Sequence, residues 1–238
     1  ALLTARLRLP GGVATLEPLL RDRDVDVRHA ALGGLTLVAS DDAARALVRA
    51  LAAGVLSADR IVERLGAPWG VPTLLDSLED FHFSAVRGHL AEALGLARDP
   101  RGREPLEELL AQGSDDERTR ACRALGRLGR GDAEASHDLL TALADPFWPV
   151  RAQAAKSLGE IGDPGAATFI ERGLVDPAWW VRANCATALR ALGEPGLEAL
   201  RRALHHPDRF ASDRAAEALS LEAAGSSPWL PRAGVASR

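Results

Sequence analysis

The feature that most constrains this chain is an internal repeat of about 31 residues. The segments Asp145–Leu158 and Asp176–Leu189 align without a gap, and both run from an Asp-Pro dipeptide through Val-Arg to a closing Leu. Equivalent leucines recur at spacings of 29 to 33 residues. These marker leucines are Leu35, Leu65, Leu94, Leu125, Leu158, Leu189 and Leu219. A unit of this length cannot bury its own apolar face, so the repeats are expected to stack on one another.

Each repeat carries the pattern of two helices. In the second helix of the fifth repeat, Val150, Ala154 and Leu158 recur at four-residue steps, which places them on one core-facing side. A shorter apolar pattern precedes the second helix of each repeat. It predicts first helices over Thr15–Leu20, Ala43–Leu51, Val71–Leu78, Pro105–Leu110, Ser136–Leu143, Ala166–Leu174 and Leu197–Leu204. Gly and Pro mark the joints between repeats, as in Gly162–Gly165. No stretch shows the sustained alternation of apolar and polar residues that is typical of a strand. We therefore predict an all-α chain.

The turns between the two helices have their own signature. Asp145 and Asp176 each precede a Pro, and an Asp in this position suits the cap of a turn that leads into a helix. Together with the Val-Arg, Ala-Ala and Leu-Gly dipeptides, this pattern resembles the HEAT family in its short, phycobilisome-lyase-type form. The resemblance covers residues from about 10 to 224. It implies a right-handed α–α superhelix, or α-solenoid, of about seven helical hairpins.

The repeat departs from this pattern in three places. Ala58 occupies the Arg position of the second repeat, Glu117 the Val position of the fourth, and Ser212 the Arg position of the last. The second repeat is therefore the weakest match. In the fourth and last repeats, the marker leucine still supports the assignment.

The ends of the chain lack the full repeat. Residues 1–9 are predicted to be the remnant of a preceding repeat helix, so the solenoid runs over 1–224. Residues 225–238 lose the periodicity and are predicted to form a flexible tail, in which Trp229 and Leu230 either cap the last repeat or stay disordered. The first residue is Ala1 rather than Met, which we interpret as a fragment whose missing upstream region could include a membrane anchor. Every basic residue except Lys156 is Arg, which suggests a high-GC bacterial genome.

Composition excludes several protein classes. A hydrophobic content of 47% argues against wholesale disorder, and two cysteines are too few for a disulfide framework. No apolar run reaches membrane-spanning length, so we predict no membrane span in this chain and a cytoplasmic location. The net charge of −4 argues against nucleic acid as a partner, because duplex binders normally present a dominant basic face.

The sequence also lacks the strong catalytic and metal-binding motifs. Ala155 stands before Lys156 where a phosphate-binding loop requires Gly, and the histidines form neither a His-Glu-x-x-His pair nor the His-Glu dipeptides of HEAT-like hydroxylases. His205 and its neighbour His206 suit a solvated turn. Cys122 and Cys185 fall on small-residue core positions and are predicted to be buried thiols. We predict no catalytic residue, no metal and no cofactor.

Arginines recur seven residues before the marker leucine. This arginine ladder comprises Arg28, Arg87, Arg118, Arg151 and Arg182. One interpretation is a basic binding surface. The other, which the resemblance favours, is a structural role in which each Arg packs between repeats and pairs with an Asp such as Asp22, Asp145 or Asp176.

Aromatic residues concentrate at the turns before the second helices. Six of the ten Phe and Trp residues lie two to four positions before the ladder position, and we call them the aromatic edge. They are Phe83, Phe147, Trp148, Trp179, Trp180 and Phe210. Exposed rings in this position would anchor a partner, whereas buried rings would only wedge between repeats.

A second candidate surface is a basic stripe on the fourth second helix. Arg120, Arg123, Arg127 and Arg130 lie at steps of three and four, and Lys156 and Arg190 occupy related positions in the next two repeats. The resemblance implies that second helices line the concave face, where such a stripe could bind an acidic peptide or a phosphate-bearing ligand. The alternative is a solvated face balanced by Asp115, Asp116 and Glu117.

These observations favour a non-catalytic scaffold that binds another protein or an acidic peptide through the concave face and the aromatic edge. Its oligomeric state is left open. Two alternatives come from related repeat proteins: a chromophore lyase or chaperone subunit of the phycobilin-lyase type, and a DNA-binding module of the HEAT-like DNA glycosylase type.

Overall fold

The computed structural model describes residues 11–129 and 136–223, with side chains through Ser220. The predicted helical remnant at 1–9 and the predicted tail at 225–238 lie outside these residues, as does Arg130. The contacts divide the chain into unit 1, Ala1–Ala124, and unit 2, Leu125–Arg238.

Helical hairpins build both units. Unit 1 contains α1 (Gly12–Leu16), α2 (Val25–Val38), α3 (Asp41–Ala52), α4 (Ala58–Leu65), α5 (Val71–Glu79), α6 (Arg87–Ala97) and α7 (Arg103–Gln112). The division between the units falls within α8 (Asp115–Leu128). Unit 2 contains α9 (Ser136–Ala142), α10 (Trp148–Ile161), α11 (Ala167–Arg172), α12 (Trp179–Ala191), α13 (Glu194–Ala203) and α14 (Arg209–Ala223). Odd-numbered helices are the first and even-numbered helices the second of each repeat, and no strand occurs in the described ranges, which confirms the all-α, seven-repeat prediction.

The marker leucines form the core of each unit. Leu35, Leu65 and Leu94 in unit 1 are fully buried, and Leu158 in unit 2 is buried to the same extent. Leu219, in the last described helix, is only half-buried. Burial of these side chains is what fixes the phase of each amphipathic helix, because rotation of a helix would expose its leucine to water.

The Gly that follows the marker leucine lets successive second helices approach closely. A Cβ atom built on Gly95 would lie 2.5 Å from the Cα atom of Ala124 in unit 1. In unit 2, a Cβ atom on Gly126 would lie 2.5 Å from the Cβ atom of Ser157. The Leu-Gly dipeptide therefore pairs a core side chain with a contact at which no side chain fits.

Aspartates close the turns that precede the second helices. The Asp145 Oδ1 atom accepts a hydrogen bond from the Phe147 N–H at 2.7 Å, and the Asp176 Oδ1 atom accepts one from the Ala178 N–H at 2.8 Å. The backbone caps of α10 and α12 are Phe147 and Ala178 themselves. The two aspartates therefore accept hydrogen bonds from N–H groups of the turn, two residues along the chain, rather than from the first N–H groups inside the helix.

No helix in the described part of the chain is both long and apolar enough to cross a membrane.

Candidate protein-binding surface

The arginine ladder satisfies backbone carbonyl groups of the turns. The Nη1 group of Arg151 donates to the carbonyl oxygens of Asp145 and Pro146 at 2.8 and 3.2 Å. The Nη1 group of Arg182 donates in the same way to the carbonyl oxygens of Asp176 and Pro177, at 2.7 and 3.0 Å. Arg28 repeats this geometry in unit 1, on the carbonyl oxygens of Asp22 and Arg23. These ladder arginines thus stabilise the turns. This agrees with the structural interpretation of the ladder.

Two ladder arginines also reach the next repeat of their own unit. The Nε and Nη2 groups of Arg151 donate to both carboxylate oxygens of Asp176 at 2.7 and 2.9 Å. In unit 1, the Nε group of Arg87 donates to Glu117 at 2.8 Å. Glu117 also accepts hydrogen bonds from the N–H and hydroxyl groups of Ser114, so it caps the start of α8 as well. This explains why the fourth repeat tolerates Glu at a Val position.

Acidic side chains neutralise the basic stripe in unit 1. The Arg120 Nη1 and Nε groups donate to Glu92 and Asp116, both at 2.8 Å, and Arg123 Nη1 lies 3.3 Å from the other oxygen of Glu92. Of the three acidic residues proposed as counterions, Asp116 has this role, whereas Asp115 pairs with Arg118 and Glu117 with Arg87. Sequence reasoning missed Glu92, although its position 31 residues before Arg123 made it the equivalent residue of the preceding repeat.

The predicted stripe residues that the structure describes in unit 2 are Arg127, Lys156 and Arg190, which lie on α8, α10 and α12. Lys156 Nζ lies 3.8 Å from Glu160, one turn along α10. Arg127 belongs to the last turn of α8, and Arg190 to the last turn of α12. Positive charge at a helix C-terminus is stabilised by the helix dipole.

The aromatic edge is largely exposed in unit 2. The exposed fractions are 36% for Phe147, 42% for Trp148, 46% for Trp179, 57% for Trp180 and 63% for Phe210. Phe83, which belongs to unit 1, is half-buried. We call the five exposed residues of unit 2 the aromatic cluster. These side chains are therefore partly exposed rather than fully buried between repeats.

The helix order of unit 2 positions the aromatic cluster. Helix α12 packs against both α10 and α14, so the starts of three neighbouring second helices carry the five rings. The rings of Trp179 and Trp180 meet edge to face, with centroids 4.6 Å apart. The guanidinium of Arg182 lies 5.0 Å from the centre of the Phe210 ring, and that of Arg214 lies 5.6 Å from Trp179. The contacts between α12 and α14 therefore combine aromatic and cationic groups on one surface.

Two further exposed rings were missed by sequence reasoning. Phe81 in unit 1 is 86% exposed and Phe169 in unit 2 is 45% exposed. Arg172 stacks on Phe169 at 5.6 Å. Phe169 lies in a first helix, so the turn-based alignment that defined the aromatic edge did not include it.

A groove of about 490 Å³ opens among the turns of the last two repeats. Its walls include Arg172, Val175, Arg202, His205, His206 and Pro207. Glu171 also lines the groove and forms a bidentate salt bridge with Arg202, whose Nε and Nη2 groups donate to its two carboxylate oxygens at 3.2 and 2.6 Å. The groove thus has apolar walls and a basic rim.

The described residues contain no group of three His, Cys, Asp or Glu side chains placed to hold a metal ion. Cys122 and Cys185 are fully buried, as the small-residue alignment predicted. Burial raises the pKa of the Cys185 thiol far above its ordinary value, and the charge of Asp176 adds to this effect. Cys185 is therefore a core side chain rather than a reactive thiol.

Comparison with known proteins agrees with this architecture. The sequence profile described as HEAT repeats matches residues 48–126, 112–190 and 136–220. The chain belongs to the HEAT-repeat family. The resemblance drawn from the sequence is thereby confirmed for most of this HEAT-repeat chain. No curated protein matches its sequence.

Several solved structures are similar to the HEAT-repeat chain. An engineered protein is 24% identical, with a TM-score of 0.47, over 88% of this chain and 68% of its own. The phycocyanin lyase complex of CpcE and CpcF from Nostoc is 20% identical, with a TM-score of 0.46, over 87% and 75%. Human deoxyhypusine hydroxylase is 21% identical, with a TM-score of 0.42, over 93% and 98%.

Proposed function

We propose that this protein is a non-catalytic interaction module that binds another protein through the aromatic cluster of unit 2. The observation that carries the proposal is the exposure of five rings, from 36% for Phe147 to 63% for Phe210, at the starts of three adjacent helices. Aromatic residues are enriched among the few interface residues that supply most of the binding energy.

Exposed rings are unfavourable in water and become favourable contacts when a partner covers them. Burying apolar surface against a partner contributes about 25 cal/mol per Å² before the costs of association are subtracted. The fold does not need these rings for its core, because buried residues such as Leu158, Val181 and Leu189 fill it. Helix positions and ring contacts also restrict the side chains, so less entropy is lost when a partner binds.

The test is affinity capture with purified protein and an extract of the source organism, quantified by mass spectrometry. The double variant Trp180→Ala/Phe210→Ala is expected to lose at least tenfold of the specifically captured protein, while its melting temperature stays close to that of the wild type. Phe169→Ala is the matched control, because it removes an exposed ring outside the cluster. Undiminished capture by the double variant, or a large drop in its melting temperature, would contradict the proposal.

A further inference from the structure

The bond between repeats made by Arg151 is missing one repeat later. Arg151 binds the carboxylate of Asp176, which stands before a Pro in the turn of the sixth repeat. In the seventh repeat, the residue at this position, again before a Pro, is His206. The position that supplies a carboxylate to Arg151 is therefore occupied by an imidazole in the repeat that follows Arg182.

His206 retains one role of the aspartate and lacks the other. Its Nδ1 atom accepts a hydrogen bond from the Asp208 N–H at 3.0 Å, just as Asp176 accepts one from the Ala178 N–H. The turn is thus preserved, and this hydrogen bond occupies the Nδ1 lone pair. An imidazole offers no anionic oxygen to a guanidinium, so the second function of the aspartate is absent.

Arg182 forms no salt bridge with a described residue, although its charge acts on the Asp176 carboxylate of its own turn. Its Nη1 group binds the two turn carbonyls, whereas its buried Nε group has no hydrogen-bond partner there. Arg28 in unit 1 shares the unpartnered Nε group, so this feature alone is not distinctive. Arg182 differs because its guanidinium stacks on Phe210, which is an exposed ring of the aromatic cluster. One exposed ring therefore lies over this guanidinium.

The adjoining groove carries positive charge from the guanidinium of Arg172. His205, His206 and Arg172 line it, and Arg172 forms no salt bridge with any described residue. The acidic side chain of the groove, Glu171, is already bound by Arg202. This end of unit 2 therefore presents two guanidinium groups without a salt bridge to a described residue, Arg172 in the groove and Arg182 beside the exposed Phe210 ring.

We propose that this end of unit 2 binds a protein segment in which an Asp or Glu lies next to an aromatic or aliphatic residue. The partner's carboxylate takes the place opposite Arg182 that Asp176 takes opposite Arg151, and its apolar neighbour packs on Trp179, Trp180 and Phe210. This inference rests on the proposed function, because it names the chemistry of the partner that the aromatic cluster binds. Charge-assisted bonds to a guanidinium give such a site its specificity.

The decisive variant is His206→Asp, which restores the missing carboxylate within the chain. It is expected to raise the melting temperature, because Arg182 gains the partner that Arg151 has, and to compete with the carboxylate of the partner. His205→Asp is the matched control, since it makes the same change of charge at the neighbouring position of the groove.

The probe is a phage-displayed library of random twelve-residue peptides selected on the wild-type protein. Selected peptides are expected to carry Asp or Glu beside an aromatic or aliphatic residue, and to lose binding to Trp180→Ala. His206→Asp should weaken them at least tenfold and His205→Asp less than threefold. A peptide with Asn or Gln in place of its acid should bind the wild type and His206→Asp equally.

The outcomes separate the two proposals. Peptides that depend on Trp180 but lack acids, or that bind His206→Asp and His205→Asp equally, would overturn this inference and leave the proposed function standing. Enrichment of basic peptides would overturn it in the same way. Failure to select any peptide that depends on Trp180 would count against both.

Discussion

Arg151 donates hydrogen bonds to both carboxylate oxygens of Asp176, with N–O distances of 2.7 and 2.9 Å, and so connects the fifth repeat to the sixth. The same guanidinium binds the carbonyl oxygens of its own turn. One side chain thus joins a turn, a helix and the next repeat. In a repeat protein, stability depends on such nearest-neighbour contacts as much as on each hairpin.

Arg151→Ala is expected to destabilise unit 2 by about 1–3 kcal/mol, because it leaves the largely buried carboxylate of Asp176 and two turn carbonyls without their donor. The measurement is urea unfolding followed by circular dichroism. Arg202→Ala is the control, since its ion pair with Glu171 is more exposed and should be worth less than about 1 kcal/mol. Equal losses for the two variants would show that Arg151 has no special role.

The Asp176 carboxylate should also make stability depend on pH. Burial alone raises its pKa, but hydrogen bonds from Arg151 and the Ala178 N–H and the charges of Arg151 and Arg182 outweigh burial and lower the pKa below its ordinary value. A lowered folded-state pKa contributes stability above the unfolded pKa of about 3.9, and this contribution is lost as the pH falls through the folded-state value.

Asp176→Asn is therefore expected to be less stable than the wild type at pH 7 and to lose less stability on acidification from pH 5 to pH 3. The urea midpoint at each pH measures both effects. Asp213→Asn, which removes an exposed carboxylate, should keep the steeper loss of the wild type. If Asp176→Asn and the wild type lose stability in parallel, the carboxylate does not supply the acid sensitivity.

The fold could be predicted because the even spacing of the marker leucines indicates which side of each second helix is buried. An apolar residue that returns every 31 residues has one physical explanation, and the buried Leu94, Leu125 and Leu158 confirm it. The surface was harder to predict, because a ring at a turn has the same sequence pattern whether it wedges between repeats or faces water. The exposed fraction of Trp180, 57%, depends on how α12 packs against α10 and α14, which no local pattern encodes. The bond from Arg120 to Glu92 likewise requires knowledge of the packing of α6 against α8.

Leu158→Ala tests the register of the repeat. The side chain is fully buried, so its truncation is expected to cost about 2–5 kcal/mol through lost transfer energy and the cavity that remains. Leu204→Ala makes the same chemical change at an exposed position of unit 2 and should cost about 0.5 kcal/mol or less. Differential scanning calorimetry compares the two. A neutral Leu158→Ala would mean that the marker leucine is not the centre of the core.

Gly95→Ala tests the close approach of second helices in unit 1. The new Cβ atom would lie 2.5 Å from the backbone of Ala124, so the helices must separate, at an expected cost of about 1–3 kcal/mol. Gly33→Ala is the control, because nothing lies within 4 Å of its added Cβ atom and Ala favours a helix by about 1 kcal/mol. The two variants should therefore shift the melting temperature in opposite directions, and a shift in the same direction would contradict the steric argument.

The acidic partners of the basic stripe predict weak interaction with nucleic acid. Glu92 binds both Arg120 and Arg123, and Asp116 binds Arg120 as well, so little positive charge on this face is left to displace the counterions of a duplex. The wild type should give no mobility shift with a 30-base-pair DNA duplex in 50 mM salt. Glu92→Gln removes the charge shared by the two arginines and should produce weak binding that disappears by 200 mM salt. Glu160→Gln, which removes one negative charge beside Lys156, is the matched control and should shift the duplex less than Glu92→Gln. A tight wild-type shift that weakens steeply with salt would instead make this stripe a nucleic-acid surface.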